Sequence, residues 1–159
     1  MGEFVRKYLP RNQTVLDVGG ADVNGNYKPL VTANDCDYKT LDFAGADYVV
    51  KDYNWRDVPK FDAVISGQTL EHDPYFWKTL GNISNIVTGW VFIIVPSKGK
   101  YHKHPIDCYR FYKDADKVFA DIMEMELIET VWNTEKDIYK QAPNLGEKYW
   151  GDLGMVFKK

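Results

Sequence analysis

The run Trp90-Val91-Phe92-Ile93-Ile94-Val95 is the most apolar stretch of this chain. A strand with one face in water alternates apolar and polar residues, and one without alternation is covered on both faces. A sheet built around such a strand needs helices on either side. Other short runs supply the neighbours. Thr14 to Val18 is a compact β-branched run ending in Gly19-Gly20, which reads as the opening of a βα unit. Tyr38 to Asp42, Ala46 to Val50 and Phe61 to Ser66 read as the second, third and fourth strands, with Phe43-Ala44-Gly45 leaving almost no room for a helix. Gly2 to Leu9 reads as a short helix, and Asn26 to Val31 as a weak one broken early by Pro29. Pro74 to Val87 places Phe76, Leu80, Ile83, Ile86 and Val87 at helical spacing, and Gly89 is expected to separate that helix from the apolar run. Asp114 to Met123 reads as a helix with Val118, Phe119 and Ile122 inward, and Trp77 is expected in the core beside Leu80. Met125 to Trp132 and Met155 to Lys158 are the last strands, joined by a polar connection from Asn133 to Asp152. The alternation predicts an α/β domain, a mostly parallel sheet with helices on both faces. No repeat, low-complexity tract or linker divides residues 1–159, so a single domain is expected.

Composition narrows the partners. The net charge is -3 and Lys and Arg are scattered, whereas non-specific nucleic-acid binding needs a basic patch to displace counterions. No apolar run approaches the ~18 residues of a membrane helix, and no apolar signal core opens the chain. Two cysteines, Cys36 and Cys108, fit a reducing compartment. The expectation is a soluble, cytoplasmic protein without nucleic-acid or membrane partners. Aromatic residues reach 15%, enough to line a pocket as well as a core.

In an open parallel sheet, ligands bind beyond the carboxyl ends of the strands. The first strand ends in Asp17-Val18-Gly19-Gly20, where glycine permits a tight turn and close approach of a ligand to the main chain. At the end of the second strand stands Asp42, a carboxylate able to accept hydrogen bonds from both ribose hydroxyls of a nucleotide-like cofactor, with Phe43 beside it to stack on an adenine. A glycine pair after a strand is also common in ordinary loops, so the acid carries much of this reading. Neither G-x-G-x-x-G nor a Gly-Lys-Ser/Thr phosphate loop is present.

These residues resemble a class I S-adenosylmethionine-dependent methyltransferase of the small-molecule branch. Val15-Leu16-Asp17-Val18-Gly19 is similar to the family's first motif, and Leu41-Asp42 to the acidic end of its second strand. Lys51-Asp52-Tyr53 lies where the family places an acid on the adenine amino group. Phe61-Asp62-Ala63-Val64-Ile65-Ser66-Gly67-Gln68-Thr69-Leu70-Glu71-His72 resembles the fourth-strand motif, and Trp90 to Ser97 the fifth strand. The resemblance implies a Rossmann-like sheet of seven strands or slightly fewer with an antiparallel last strand. It also implies S-adenosyl-L-methionine held by Asp17, Gly19, Gly20, Asp42, Phe43, Asp52, Ser66, Gly67 and Gln68. Two departures stand out. Ala21 replaces the usual second glycine, tolerable where φ is negative, and the region before the first strand is short. A homodimer partner or the loop around Lys98 to Tyr112 would then shield the reaction from water. Pro96-Ser97-Lys98-Gly99 and His102 to Tyr112 resemble a subgroup associated with glycosyltransferases, which implies a sugar or glycan hydroxyl as acceptor and a glycosyltransferase as partner.

A hydroxyl acceptor needs a base, and histidine titrates near neutral pH. The chain has three, His72, His102 and His104. His102 and His104 follow the fifth strand, with Asp107 to orient one of them and Arg110 and Tyr109 to hold a polar substrate; these make His102, His104, Asp107 and Arg110 the candidate catalytic set. Each has a structural alternative. His72 would brace the start of the next helix, and Asp107, Arg110 and Tyr112 would form an ion pair beside a buried ring. His102, His104 and Cys108 are good zinc ligands, but three in one loop without a fourth do not define a site, and no metal is expected. Trp55, Tyr75, Trp77 and Tyr101 would stack on a sugar or pack as core. The fourth-strand loop lacks the Asn/Asp-Pro-Pro-Tyr of enzymes of this fold that methylate DNA amines. Two rivals remain: a non-catalytic cofactor- or partner-binding module on a degenerate methyltransferase fold, and a nicotinamide-dependent oxidoreductase.

Overall fold

The computed structural model describes residues 1–21, 25–103, 105–133 and 150–159. His104, and most of the expected connection from Asn133 to Asp152, lie outside the described residues. The elements in chain order are α1 (Gly2–Tyr8), β1 (Thr14–Val18), α2 (Lys28–Thr32), β2 (Asp37–Asp42), β3 (Tyr48–Val49), β4 (Phe61–Gly67), a 3-10 turn (Leu70–His72), α3 (Phe76–Ile86), β5 (Val87–Lys98), α4 (Ala115–Met123), β6 (Glu126–Trp132) and β7 (Gly151–Lys158). The strands form one seven-stranded sheet in the order β3-β2-β1-β4-β5-β7-β6. The pairs among β1 to β5 are parallel, and β7 runs antiparallel to both of its neighbours. No described helix is long and apolar enough to cross a membrane.

The unalternating run works as the sequence implies. In β5, Val91, Ile93 and Val95 join the core under α3 and α4, while Phe92 joins the core under α1 and α2. Because side chains alternate across a strand, one run of apolar residues feeds both layers. The strand order reverses beside β1, between β2 and β4. That reversal opens a crevice at the carboxyl tips of β1, β2 and β4.

Four local expectations are corrected. The third strand is two residues long instead of five. Asp47 takes the Thr40 backbone N–H at 3.0 Å and the Thr40 hydroxyl at 3.1 Å, so a side chain competes with ladder pairing there. Gly89 lies inside β5 and does not precede it. A β-carbon at Gly89 would stand 2.7 Å from the Asp62 carbonyl oxygen, opposite the register shift between Phe61 and Ala63, so the glycine lets two strands pass closely. In α4 the buried residues are Asp116, Phe119 and Met123, and Val118 is 50% exposed. Asp116 is tolerated inside because it accepts the Thr130 hydroxyl at 2.8 Å. Trp77 is 43% exposed, whereas Phe76 turns inward as its helical spacing predicts, edge-on to Tyr109 and Phe111.

Candidate functional site

Gly19 ends β1 with φ +81°, a left-handed conformation that L side chains rarely adopt, and its N–H donates to the Leu41 carbonyl of β2 at 2.8 Å. A β-carbon at Gly19 would lie 2.1 Å from the Thr69 hydroxyl oxygen, so glycine is required sterically as well. Asp42, at the tip of β2, accepts the Phe43 N–H at 2.6 Å and the Ala21 N–H at 3.2 Å. The first and second strand tips are thereby tied through one carboxylate. Ala21 keeps a negative φ, the condition under which its methyl group is tolerated.

Between these tips and the fourth-strand loop lies a cavity of about 690 Å³, within the range of small-molecule sites. Of the residues that the sequence singles out for a cofactor, Gly19, Asp42, Phe43, Asp52, Gly67 and Gln68 line it. Asp17, Gly20 and Ser66 stand behind the wall. Ser66 donates to the Val18 carbonyl at 3.0 Å, pinning β4 to β1, and a β-carbon at Gly20 would approach the Asp17 carbonyl oxygen to 2.9 Å. Asp17 accepts the Tyr38 hydroxyl at 2.5 Å, and burial pushes its carboxyl up to about 7 despite that bond. These three shape the loop without facing the ligand space.

Trp55, which the sequence left between stacking and core, lines the cavity and is buried, while Tyr53, Asp73 and Thr79 are wall residues that sequence reasoning missed. The Tyr53 hydroxyl donates to Asp73 at 2.5 Å, which holds its proton more tightly than in water after burial has already raised it. Asp73 also accepts the Thr79 hydroxyl at 2.5 Å, so α3 is anchored to the wall. Aromatic content hinted at such rings but could not say which of them faced inward.

At the far end stand His72, His102 and Lys103, which also line the cavity. His72 Nδ1 bonds the Ile106 carbonyl, which ties the turn after β4 to the loop after β5. His102 sits with its ring centroid 4.8 Å from that of His72. Its backbone N–H donates to Asp107 Oδ2 at 2.7 Å, and its Nδ1 lies 3.3 Å from the same oxygen. Asp107 is gripped by Arg110 through two bonds, Nη1 to Oδ1 at 2.5 Å and Nη2 to Oδ2 at 2.8 Å. That guanidinium holds the Asp107 carboxyl far below the usual carboxylate range. Arg110 also donates to the carbonyls of Lys100 and Tyr109 and packs over the Trp150 ring, so its donors are turned inward. Tyr112 and Tyr101 are exposed and take no part.

Glu71 is the other residue beside this cluster that the sequence did not single out as a site residue. It sits on the 3-10 turn, wholly buried, and neither of its carboxylate oxygens has a hydrogen-bond partner among the described residues. Burial pushes its carboxyl up to about 7, with His102 and Arg110 pulling the other way.

No protein-family model and no curated protein matches the sequence. Solved structures match across nearly the whole chain. The Burkholderia thailandensis 1,6-didemethyltoxoflavin-N1-methyltransferase, solved with S-adenosylhomocysteine, superposes at TM-score 0.70 with 11% identity, over 99% of this chain and 76% of that one. Coclaurine N-methyltransferase bound to N-methylheliamine and S-adenosylhomocysteine gives 0.65 and 12%, over 99% and 70%. The [4+2]-cyclase SpnF gives 0.70 and 10%, over 98% and 78%. The chain therefore has the class I methyltransferase fold, a Rossmann-like sheet with an antiparallel strand near one edge.

Proposed function

We propose that this protein is an S-adenosylmethionine-dependent methyltransferase acting on a hydroxyl of a small molecule or glycan. One observation carries the reading: Gly19 and Asp42 face a common cavity of about 690 Å³ at the switch in strand order. The residues present fit an adenosyl cofactor. Gly19 and Gly67 present bare main chain to the cavity, and Asp42 offers a carboxylate already ordered by two N–H donors. Asp42 would hold the ribose hydroxyls, Asp52 and Phe43 the adenine, and the turn at Gly19 the methionyl part. When bound, the cofactor supplies a methyl group on a sulfonium sulfur, so departure of the thioether needs no acid.

The chain's own residues then have two tasks. The walls align donor and acceptor, a contribution worth up to ~7–11 kcal/mol in well-oriented reactions. His102, oriented by Asp107, accepts the proton of the acceptor hydroxyl. Support for a sugar comes from the resemblance of the 96–112 segment and from rings that continue outward from the cavity. Tyr75 meets Tyr53 at 5.8 Å and Trp77 at 5.6 Å, both exposed, and their faces can take the C–H surface of a sugar.

Calorimetry tests the cofactor half. Asp42→Ala is expected to weaken S-adenosylmethionine binding by roughly 10- to 100-fold, the worth of a charge-assisted hydrogen-bond pair. Unchanged affinity would overturn the assignment. A non-catalytic binding module is favoured by one feature, the inward-turned donors of Arg110. Methyl transfer to a panel of sugars separates the two, since the module would bind cofactor and form no methyl ether.

A further inference from the structure

We infer that Glu71, His72 and His102 form a binding site for a divalent first-row transition-metal ion at the acceptor end of the cavity. One ligating atom from each of the three lies within 4.8 Å of the others. Tetrahedral ligand atoms around one ion at ~2.1 Å stand about 3.4 Å apart, so side-chain rotations that move the ligand atoms by about an ångström close the set. Glu71 is the independent sign of a missing ligand. Its carboxylate is wholly buried, neither oxygen is hydrogen-bonded, and Oε1 lies 3.5 Å from His72 Nε2. A buried carboxylate with no hydrogen-bond donor among the described residues is costly, and a cation is one of the few groups that compensates it.

The histidines are set as metal ligands are. His72 bonds the Ile106 carbonyl through Nδ1, and its Nε2 turns toward Glu71. His102 Nδ1 faces two acceptors at 3.3 Å, Asp107 Oδ2 and the Lys100 carbonyl, and these outweigh the Arg110 Nη2 donor at 3.4 Å. Its proton is thus assigned to Nδ1, and Nε2 stays available. A carboxylate or carbonyl on the far nitrogen of a ligating histidine is the usual outer support of such sites. Two imidazoles and one carboxylate favour Mn²⁺, Fe²⁺ or Zn²⁺ over Mg²⁺ or Ca²⁺ and leave coordination positions open. Since His72 and His102 line the cavity, an open position would face the acceptor. With the ion bound, His102 Nε2 is a ligand and no longer the base, and the cation would instead lower the pKa of the acceptor hydroxyl. The ion's role toward a hydroxyl acceptor rests on the methyltransferase reading; its binding does not.

The test is titration of the chelator-treated full chain with MnCl₂ and with ZnCl₂, followed by calorimetry and thermal unfolding. One equivalent bound, with a raised Tm, is expected. Glu71→Gln and His72→Ala are each expected to lower the affinity at least about 10-fold. Glu71→Gln keeps the volume and removes the charge, and its metal-free Tm reports that it folds. No binding by the wild type, or equal binding by a folded Glu71→Gln, overturns the site. S-adenosylmethionine titration of the same samples separates the two readings. Metal uptake without cofactor affinity sinks the methyltransferase reading alone, and cofactor affinity without metal uptake sinks the metal site alone.

Discussion

Two buried aspartate side chains stand behind the residues that line the cavity, Asp17 behind the Gly19 turn and Asp107 behind His102, and have opposite surroundings. Asp17 has no cation beside it among the described residues; a neutral tyrosine hydroxyl meets it, and burial raises its carboxyl to about 7. Asp107, behind His102, is clamped by a guanidinium and held ionised. The first is a local device, since the turn it backs comes from one short segment and its neighbouring strand tips. The second joins the loop after β5 to the turn after β4, where Cys108 N–H donates to the Glu71 carbonyl at 2.8 Å. One end is built from backbone geometry and the other from side-chain charge. Stability and ligand binding should therefore respond differently to pH and to substitution at the two ends.

The largest expected effect is on Asp17. Its folded-state pKa lies above the ordinary value of 3.8, so its contribution is fully present below about 4 and is lost as pH rises through about 7. Roughly three pH units at 1.36 kcal/mol each make this a loss of about 4 kcal/mol. Urea unfolding of wild type against Asp17→Asn at pH 4.5 and 7.5 measures it, and a parallel pH dependence in both would break the contrast. Asp107 has the opposite sign: its depressed pKa gives stability that is present above the ordinary carboxylate range and lost as pH falls.

Next comes Arg110→Ala, which leaves Asp107 buried without its partner and should cost about 3 kcal/mol, read as a fall in Tm. Its Asp107→Asn, Arg110→Ala double variant should recover part of that loss. Gly19→Val is expected to weaken cofactor binding on the order of 100-fold, because the φ of +81° and the Thr69 side chain both exclude a β-carbon. Calorimetry decides whether the first end is as dependent on backbone shape as the comparison holds. The smallest effect separates neighbours on α3. Phe76→Ala should cost about 3 kcal/mol in denaturant unfolding and Trp77→Ala under about 1, because Phe76 packs inward as its spacing predicts and Trp77, also expected in the core, is exposed.

Periodicity placed most elements within a residue or two. The β1 bounds at Thr14 and Val18 were read in full, because β-branched residues closed by glycines have few other conformations. The phase of α3 and α4 was harder to read. Trp77 and Val118 are one residue from the inward positions Phe76 and Phe119, and only the neighbouring layer decides which of two adjacent apolar residues is covered. In the site, Gly19 and Asp42 were legible as a pair because a strand tip and a parallel neighbour's tip are adjacent by topology. Glu71 was quoted within a motif and passed over as chemistry, since no spacing rule brings it to His102, thirty-one positions away.

What residues 1–159 dictate on their own is the succession of strands and helices, the two-sided burial of β5 and the glycine–acid pair, all consequences of backbone sterics and apolar periodicity acting over a few residues. Tertiary structure alone decided that Asp17 faces away from the ligand space, that Arg110 is spent on Asp107, and that a bare buried carboxylate meets two imidazoles. Those outcomes depend on which loops the closed sheet brings within a few ångströms, where burial and charge act through space and not along the chain.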